Sequence, residues 1–147
     1  MALDELKGQE LGSETVTIEA GPVRVFATAI KDDPTLYTGA DATAPVTFPF
    51  VMAFWGSNGR GGAGNLPIDK LRGTGRMILH GEQEFEYHRP VQVGETLTGT
   101  SRISDVYEKD TSSAVMEFYV KETSWTDQAG KPVVDERFTL IIRAKKG

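Results

Sequence analysis

The sequence contains no cysteine. That absence removes disulfides, thiolate metal sites and thiol nucleophiles together. Histidine is scarce, with His80 and His88 the only two. Eight residues apart on one expected strand, they would share a face yet stand roughly 26 Å from each other. They cannot ligate one metal, so both read as structural or surface residues, and no Ser-His-Asp set is identifiable. No block of like charge occurs, and the net charge is −5. Nucleic-acid surfaces need clustered Lys and Arg, so that partner is not expected. No apolar run is long enough for a bilayer. The longest, PVTFPFVMAFW at 45–55, falls well short of the about 20 residues a membrane helix requires. The first residues, MALDELKGQELG, are acidic and lack the apolar core of a signal peptide. A cytoplasmic protein with no membrane partner, no metal and no cofactor is the expectation.

What is present suits one domain over residues 1–147, a length sufficient for a real core. Residues 1–12 suit a short helical arm, within an N-terminal arm over 1–14. Residues 15–20 alternate and suit a short strand. Gly21-Pro22 is a turn, with Pro22 placed to open a helix running to about Ile30. Asp32-Asp33-Pro34 stops that helix, because the residue before a proline disfavours the α region. Residues 37–43 read as irregular. Residues 47–55 are apolar almost all round, the mark of a buried helix. A Gly-rich loop follows at 56–67. It holds a formal GxGxxG match at 59–64, but this follows a helix and opens none, which excludes a dinucleotide site. From Arg76 onward the chain turns strand-like, with strands expected at 78–89, 96–109, 113–125 and 133–144. Pro90-Val91-Gln92-Val93-Gly94 forms a turn, and the separators at 110–111 and 127–132 have hairpin chemistry. Meandering antiparallel strands with one apolar face need a cover, which the 47–55 helix would supply. The fold class is therefore α+β, one buried helix wrapped by one antiparallel sheet.

Asp32 and Asp33 form the leading candidate for chemistry. Asp-Pro is a common turn opener, but a carboxylate beside an apolar helix can orient water or act as a general base when burial raises its pKa. Tyr37 follows Asp32 with four residues between. Its unperturbed pKa of about 10 makes it a poor base.

Three segments together resemble the MaoC-like dehydratases and (R)-specific enoyl-CoA hydratases. FATAIKDDP at 26–34 is similar to the family's FAxAxGDxNP entry to the active site. Ala44-Pro45-Val46-Thr47-Phe48 resembles the start of its central helix. EFEYHRPVQVGETL at 84–97 is similar to its strand-turn-strand ending in P-[VL]-x-x-G-[DE]-x-L. The resemblance covers roughly residues 16–143. It implies a single hot-dog fold, an antiparallel sheet wrapped around one central helix.

The family's chemistry is syn addition of water to a trans-2-enoyl thioester, or its reverse. An Asp and a His separated by four residues hold one water, and a backbone N–H at the central helix polarises the thioester carbonyl. Asp32 matches the Asp, while Tyr37 stands where the His would be. Lys31 replaces the glycine before the Asp. The dyad is thus degenerate, as in the N-terminal halves and non-catalytic subunits of this family, where the partner hot dog carries the dyad. The resemblance implies a hydratase or dehydratase component that binds acyl-CoA or an acyl carrier protein thioester, with Asp33, Ala44, Pro45, Val46, Thr47 and Phe48 at the substrate. A homologous hot-dog subunit would complete a homo- or heterodimer. An open sheet edge calls for such a partner on physical grounds as well. Two alternatives remain: a stand-alone thioesterase or altered hydratase using Asp32, Asp33 or Glu82, and a non-enzymatic acyl-CoA binding module. Hydrolysis of acyl-CoA by the isolated chain would favour the first, and tight binding without turnover the second.

Overall fold

The computed structural model describes residues 3–52, 54, 66, 71 and 73–146. Five antiparallel strands form one sheet: β1 (Glu10–Thr17), β2 (Arg76–Tyr87), β3 (Thr96–Asp110), β4 (Ala114–Thr126) and β5 (Pro132–Lys145). Their order across the sheet is β1-β3-β4-β5-β2. Strands β3, β4 and β5 are joined by tight connections whose side chains bond their own backbone. Thr111 Oγ1 accepts the Ala114 N–H at 3.0 Å, and Asp127 Oδ1 accepts the N–H groups of Ala129 and Lys131, both at 2.9 Å. These are the local bonds that make Thr and Asp turn residues.

The expected meander holds for those three strands only. β2 does not pair with β3, the next strand in sequence, but with β5 at the far edge. The 90–94 turn is therefore part of a crossover, not of a hairpin. It is anchored by Gly94, whose φ of 93° favours glycine, and by bonds from the Gly94 N–H to the Ile18 carbonyl (2.7 Å) and from the Ile18 N–H to the Glu95 carbonyl (2.8 Å).

The first third of the chain departs from expectation in its boundaries. The N-terminal arm is a 3-10 turn at Leu3–Leu6, and β1 begins at Glu10, earlier than the alternation at 15–20 suggests. The reason is a register shift between Glu10 and Gly12, which lets pairing with β3 continue past an irregular residue. Ala20 already belongs to helix α1 (Ala20–Ala29), which starts two residues before Pro22. Proline is tolerated anywhere in a first turn, where its missing N–H has no helical partner. Pro34–Tyr37 is a 3-10 turn, so Tyr37 is ordered within it.

Helix α2 is described only over Pro49–Met52. Its surroundings correct the reading of 47–55 as buried on all sides. Phe48, Pro49 and Met52 are buried, but Phe50 is 38% and Phe54 53% exposed. One side packs on the sheet, and the other is left open. The Gly-rich loop expected at 56–67 lies outside the described residues, Leu66 excepted.

The inner face of the sheet carries two apolar clusters. The first gathers Val16, Ile18, Val23, Phe48, Met52, Leu97 and Trp125 among others, with Phe26 set edge-on to Phe48 at 5.5 Å. The second holds Leu6, Leu66, Leu71, Ile103, Tyr119, Leu140 and Ile142. Trp125 lies flat over the backbone of Gly99 on the neighbouring strand. A Cβ there would sit 2.7 Å from the indole, so this close approach needs glycine.

Candidate functional site

The site begins at the end of α1. The Lys31 N–H bonds the Thr28 carbonyl at 3.0 Å and the Asp32 N–H bonds the Ala27 carbonyl at 2.9 Å. This is a Schellman closure with Lys31 in the left-handed conformation, φ 62°. It fixes the backbone of Asp32 against the helix. The Asp32 carboxylate then has both oxygens engaged: Oδ1 accepts the Asp33 N–H at 2.8 Å, and Oδ2 accepts a short hydrogen bond from the Tyr37 hydroxyl. Donation to Asp32 raises the Tyr37 pKa above its ordinary value, since losing that proton would set two anions together. Asp33 does something different. Its Oδ1 accepts from both the N–H and hydroxyl of Thr35, at 2.9 and 2.7 Å, capping the 3-10 turn. Those bonds hold its pKa below the usual carboxylate value.

The 44–48 segment is held from both sides. The Ala44 N–H bonds the Val91 carbonyl at 2.8 Å, and the Phe48 N–H bonds the Pro45 carbonyl at 2.9 Å. Tyr87, reaching from the end of β2, donates to the Val46 carbonyl at 2.7 Å. Burial pushes its pKa up to about 12, so it stays a donor. Ala44, Pro45 and Phe48 are buried, whereas Val46 and Thr47 are exposed. The N–H groups of Val46 and Thr47 have no hydrogen-bond partner among the described residues. Tyr37 packs against the same apolar cluster as Phe48 and Met52, which ties the Asp32 turn to this segment.

Neither histidine joins them. A bulge at Gly81 puts His80 opposite Leu140 and Glu82 opposite Thr139, inverting the side-chain parity along β2. The two histidines therefore lie on opposite faces, not on one. His80 packs edge-on against Phe138 (ring centroids 4.7 Å) and at a tilt to Phe50 (5.3 Å). His88 pairs with Asp135 at 2.7 Å.

A buried polar belt between the two apolar clusters was not anticipated. Glu136 accepts from Gln83 Nε2 at 2.9 Å and from the Trp125 indole at 3.5 Å. Ser101 and Thr123 share a bond at 2.8 Å, and Glu14 is 7% exposed with Oε2 unpartnered. Burial raises the pKa values of Glu14 and Glu136 and lowers that of Lys121, the cation facing both. The signal was present: Lys121 and Glu136 share the inward parity of Trp125 and Phe138.

Residues 5–136 match the family described as "FAS1-like, dehydratase domain region". The chain belongs to this FAS1-like dehydratase-region family. A UPF0336 protein of Streptomyces avermitilis is 32% identical over 156 residues, spanning 98% of this chain and 97% of that protein. Among solved structures, the chain is similar to the C-terminally truncated HadBC (3R-hydroxyacyl-ACP dehydratase) complex of Mycobacterium tuberculosis, with a TM-score of 0.67 at 22% identity over 92% of this chain and 96% of that one. It is also similar to a MaoC-like dehydratase of Phytophthora capsici, with a TM-score of 0.71 at 23% identity over 100% of this chain and 53% of that one. The α+β hot-dog fold and the likeness to MaoC-like dehydratases both hold. Within this FAS1-like family member, no helix among the described residues is long and apolar enough to cross a membrane.

Proposed function

We propose that this chain is the non-catalytic half of an acyl-thioester hydratase or dehydratase, pairing with a homologous hot dog that carries an intact Asp and His. The observation that carries this reading is the state of Asp32. Both of its oxygens are occupied, one by a tyrosine hydroxyl that can donate but not readily accept a proton at neutral pH. A water held at such a carboxylate has no second base to activate it. Both histidines are committed elsewhere. Family membership supports the reaction class, and the heteromeric name of the HadBC relative supports the pairing. The N–H groups of the exposed residues Val46 and Thr47, on a segment held by Tyr87 and without a partner among the described residues, are suited to receive the thioester carbonyl. The acyl group is taken as its CoA or carrier-protein thioester in the cytoplasm.

The test is hydration of crotonyl-CoA, followed by loss of enoyl absorbance. The isolated chain should turn over weakly or not at all. Adding a purified hot-dog homologue with the intact Asp-x4-His should give activity above that of the homologue alone. Strong turnover by the isolated chain, abolished by Asp32→Asn, would show that this site is itself catalytic.

A further inference from the structure

The 44–48 segment is fixed at its ends by backbone bonds, Ala44 to Val91 and Phe48 to Pro45. The second of these closes a four-residue turn with Val46 and Thr47 at its centre. The peptide joining those two residues carries the Val46 carbonyl and the Thr47 N–H. It is trans, so the two groups point in opposite directions. Whatever fixes the carbonyl therefore fixes the N–H as well.

The central peptide is the freest unit of such a turn. Type I and type II turns differ by rotating it through about half a circle, with the ends left in place. Two features hold it in one orientation here. The rotated form needs a positive φ at Thr47, which a β-branched side chain resists; Lys31 is the only non-glycine among the described residues with a positive φ. The Tyr87 hydroxyl also donates to the Val46 carbonyl at 2.7 Å. Its ring packs, partly buried, against the first apolar cluster, so the hydroxyl has a firm support at the end of β2. A carbonyl that accepts a hydrogen bond polarises its own peptide and makes the attached N–H a stronger donor. The Val46 N–H gains nothing from this. The carbonyl of its own peptide is that of Pro45, which is turned toward the Phe48 N–H inside the turn.

We propose that Tyr87 is a positioning residue, which through the Val46 carbonyl aims the Thr47 N–H at the carbonyl oxygen of a bound acyl thioester. This rests on the thioester reading above and adds which donor is used and which side chain sets it. Tyr87 itself does not touch the ligand. Its effect is confined to ligands that present a carbonyl to the turn.

The experiment compares two ligands by titration calorimetry on the full chain. Butyryl-CoA is saturated and cannot add water; S-butyl-CoA is its thioether, with a methylene in place of the carbonyl. The wild type should bind the thioester about fivefold or more tighter than the thioether, the worth of one hydrogen bond. Tyr87→Phe keeps the ring and should lose most of that preference, while binding the thioether as the wild type does. A preference unchanged in Tyr87→Phe, or both ligands weakened equally, overturns the role of Tyr87 and leaves the thioester reading standing. Equal affinity of the wild type for the two ligands, or no binding of either, overturns both. Should the variant fail to fold, amide NMR on the isotope-labelled wild type replaces it. Butyryl-CoA should move the Thr47 N–H resonance and S-butyl-CoA should not; a response confined to Val46, or identical for the two ligands, overturns the proposal.

Discussion

Lys31→Gly should stabilise the protein, and the geometry sets by how much. Lys31 is the only non-glycine among the described residues with a positive φ, 62°. A side chain in that region costs roughly 1–2 kcal/mol, because its Cβ crowds the following carbonyl oxygen. Glycine removes that strain but loosens the unfolded chain, which costs about 0.4–1 kcal/mol. The lysine side chain is exposed and makes no ion pair or hydrogen bond among the described residues, so little else is lost. The net gain is about 0.5–1 kcal/mol. Urea unfolding followed by tryptophan fluorescence should then show the midpoint rising by a few tenths molar, about the gain divided by a slope of 1–3 kcal/mol/M, with the slope unchanged. Lys31→Ala is the control: it keeps the Cβ, keeps the strain and should leave the midpoint almost where it was. A midpoint lowered by glycine, or raised equally by alanine, would refute the assignment of strain to this residue. The substitution also restores the glycine of the FAxAxGDxNP pattern, which on this geometry is there to close α1 in the left-handed conformation.

Three further outcomes follow from the same contacts. Tyr37→Phe should leave the turnover of a mixed complex nearly unchanged, well short of the roughly hundredfold or greater loss that removing a general acid or base brings; enoyl-CoA kinetics on the complex decide this. Gly99→Ala drives a methyl to 2.7 Å from the Trp125 ring and should destabilise by about 1–3 kcal/mol in chemical denaturation. Glu136→Gln should change how stability depends on pH. The folded-state pKa of Glu136 is raised by burial above 4.5, so the native state binds that proton more tightly than the unfolded state, and wild-type stability falls as pH rises through the window above 4.5. Glutamine has no such proton, so the stability of the variant relative to wild type should increase between about pH 5 and about pH 8; a constant or shrinking difference in urea melts at those values would count against it.

The strands of the second half were readable because each carries its own signal. Thr111 and Asp127 mark their turns, and alternation such as Tyr119-Lys121-Thr123-Trp125 sets the parity. What alternation does not encode is which strand lies beside which. The placement of β2 on β5 depends on contacts between residues distant in sequence, such as Phe85 with Glu136 and Ile78 with Ile142. The single extra residue at Gly81 was likewise invisible to a period-two reading, yet it sends His80 and His88 to opposite faces. The aromatic run at 48–54 misled for a related reason. Hydrophobicity all round reports that every side avoids water in the working state, and it does not separate a core from a face kept for another chain or ligand. Spacing alone brings Asp32 and Tyr37 together, but the bond between them depends on the 3-10 turn at Pro34–Tyr37, which spacing does not encode.

The buried belt bears on how far the inner face can be apolar. Glu14, Lys121 and Glu136 come from β1, β4 and β5, so they cross the sheet between its two apolar clusters. Met52 packs in the first cluster, and Leu66 and Leu71 pack in the second. Desolvating three ionisable groups is costly unless their charges offset one another. Here two acids face one cation, and burial pushes each group toward its neutral form. That arrangement makes Lys121 the pivot. Without its positive charge both carboxyls would be left to bind protons alone, and without Glu136 the Gln83 amide and the Trp125 indole would lose the acceptor they share. A belt that couples strands in this way ties the two halves of the inner face to one register, and a one-residue slip in β1, β4 or β5 would turn Glu14, Lys121 or Glu136 to the opposite face, away from its partners.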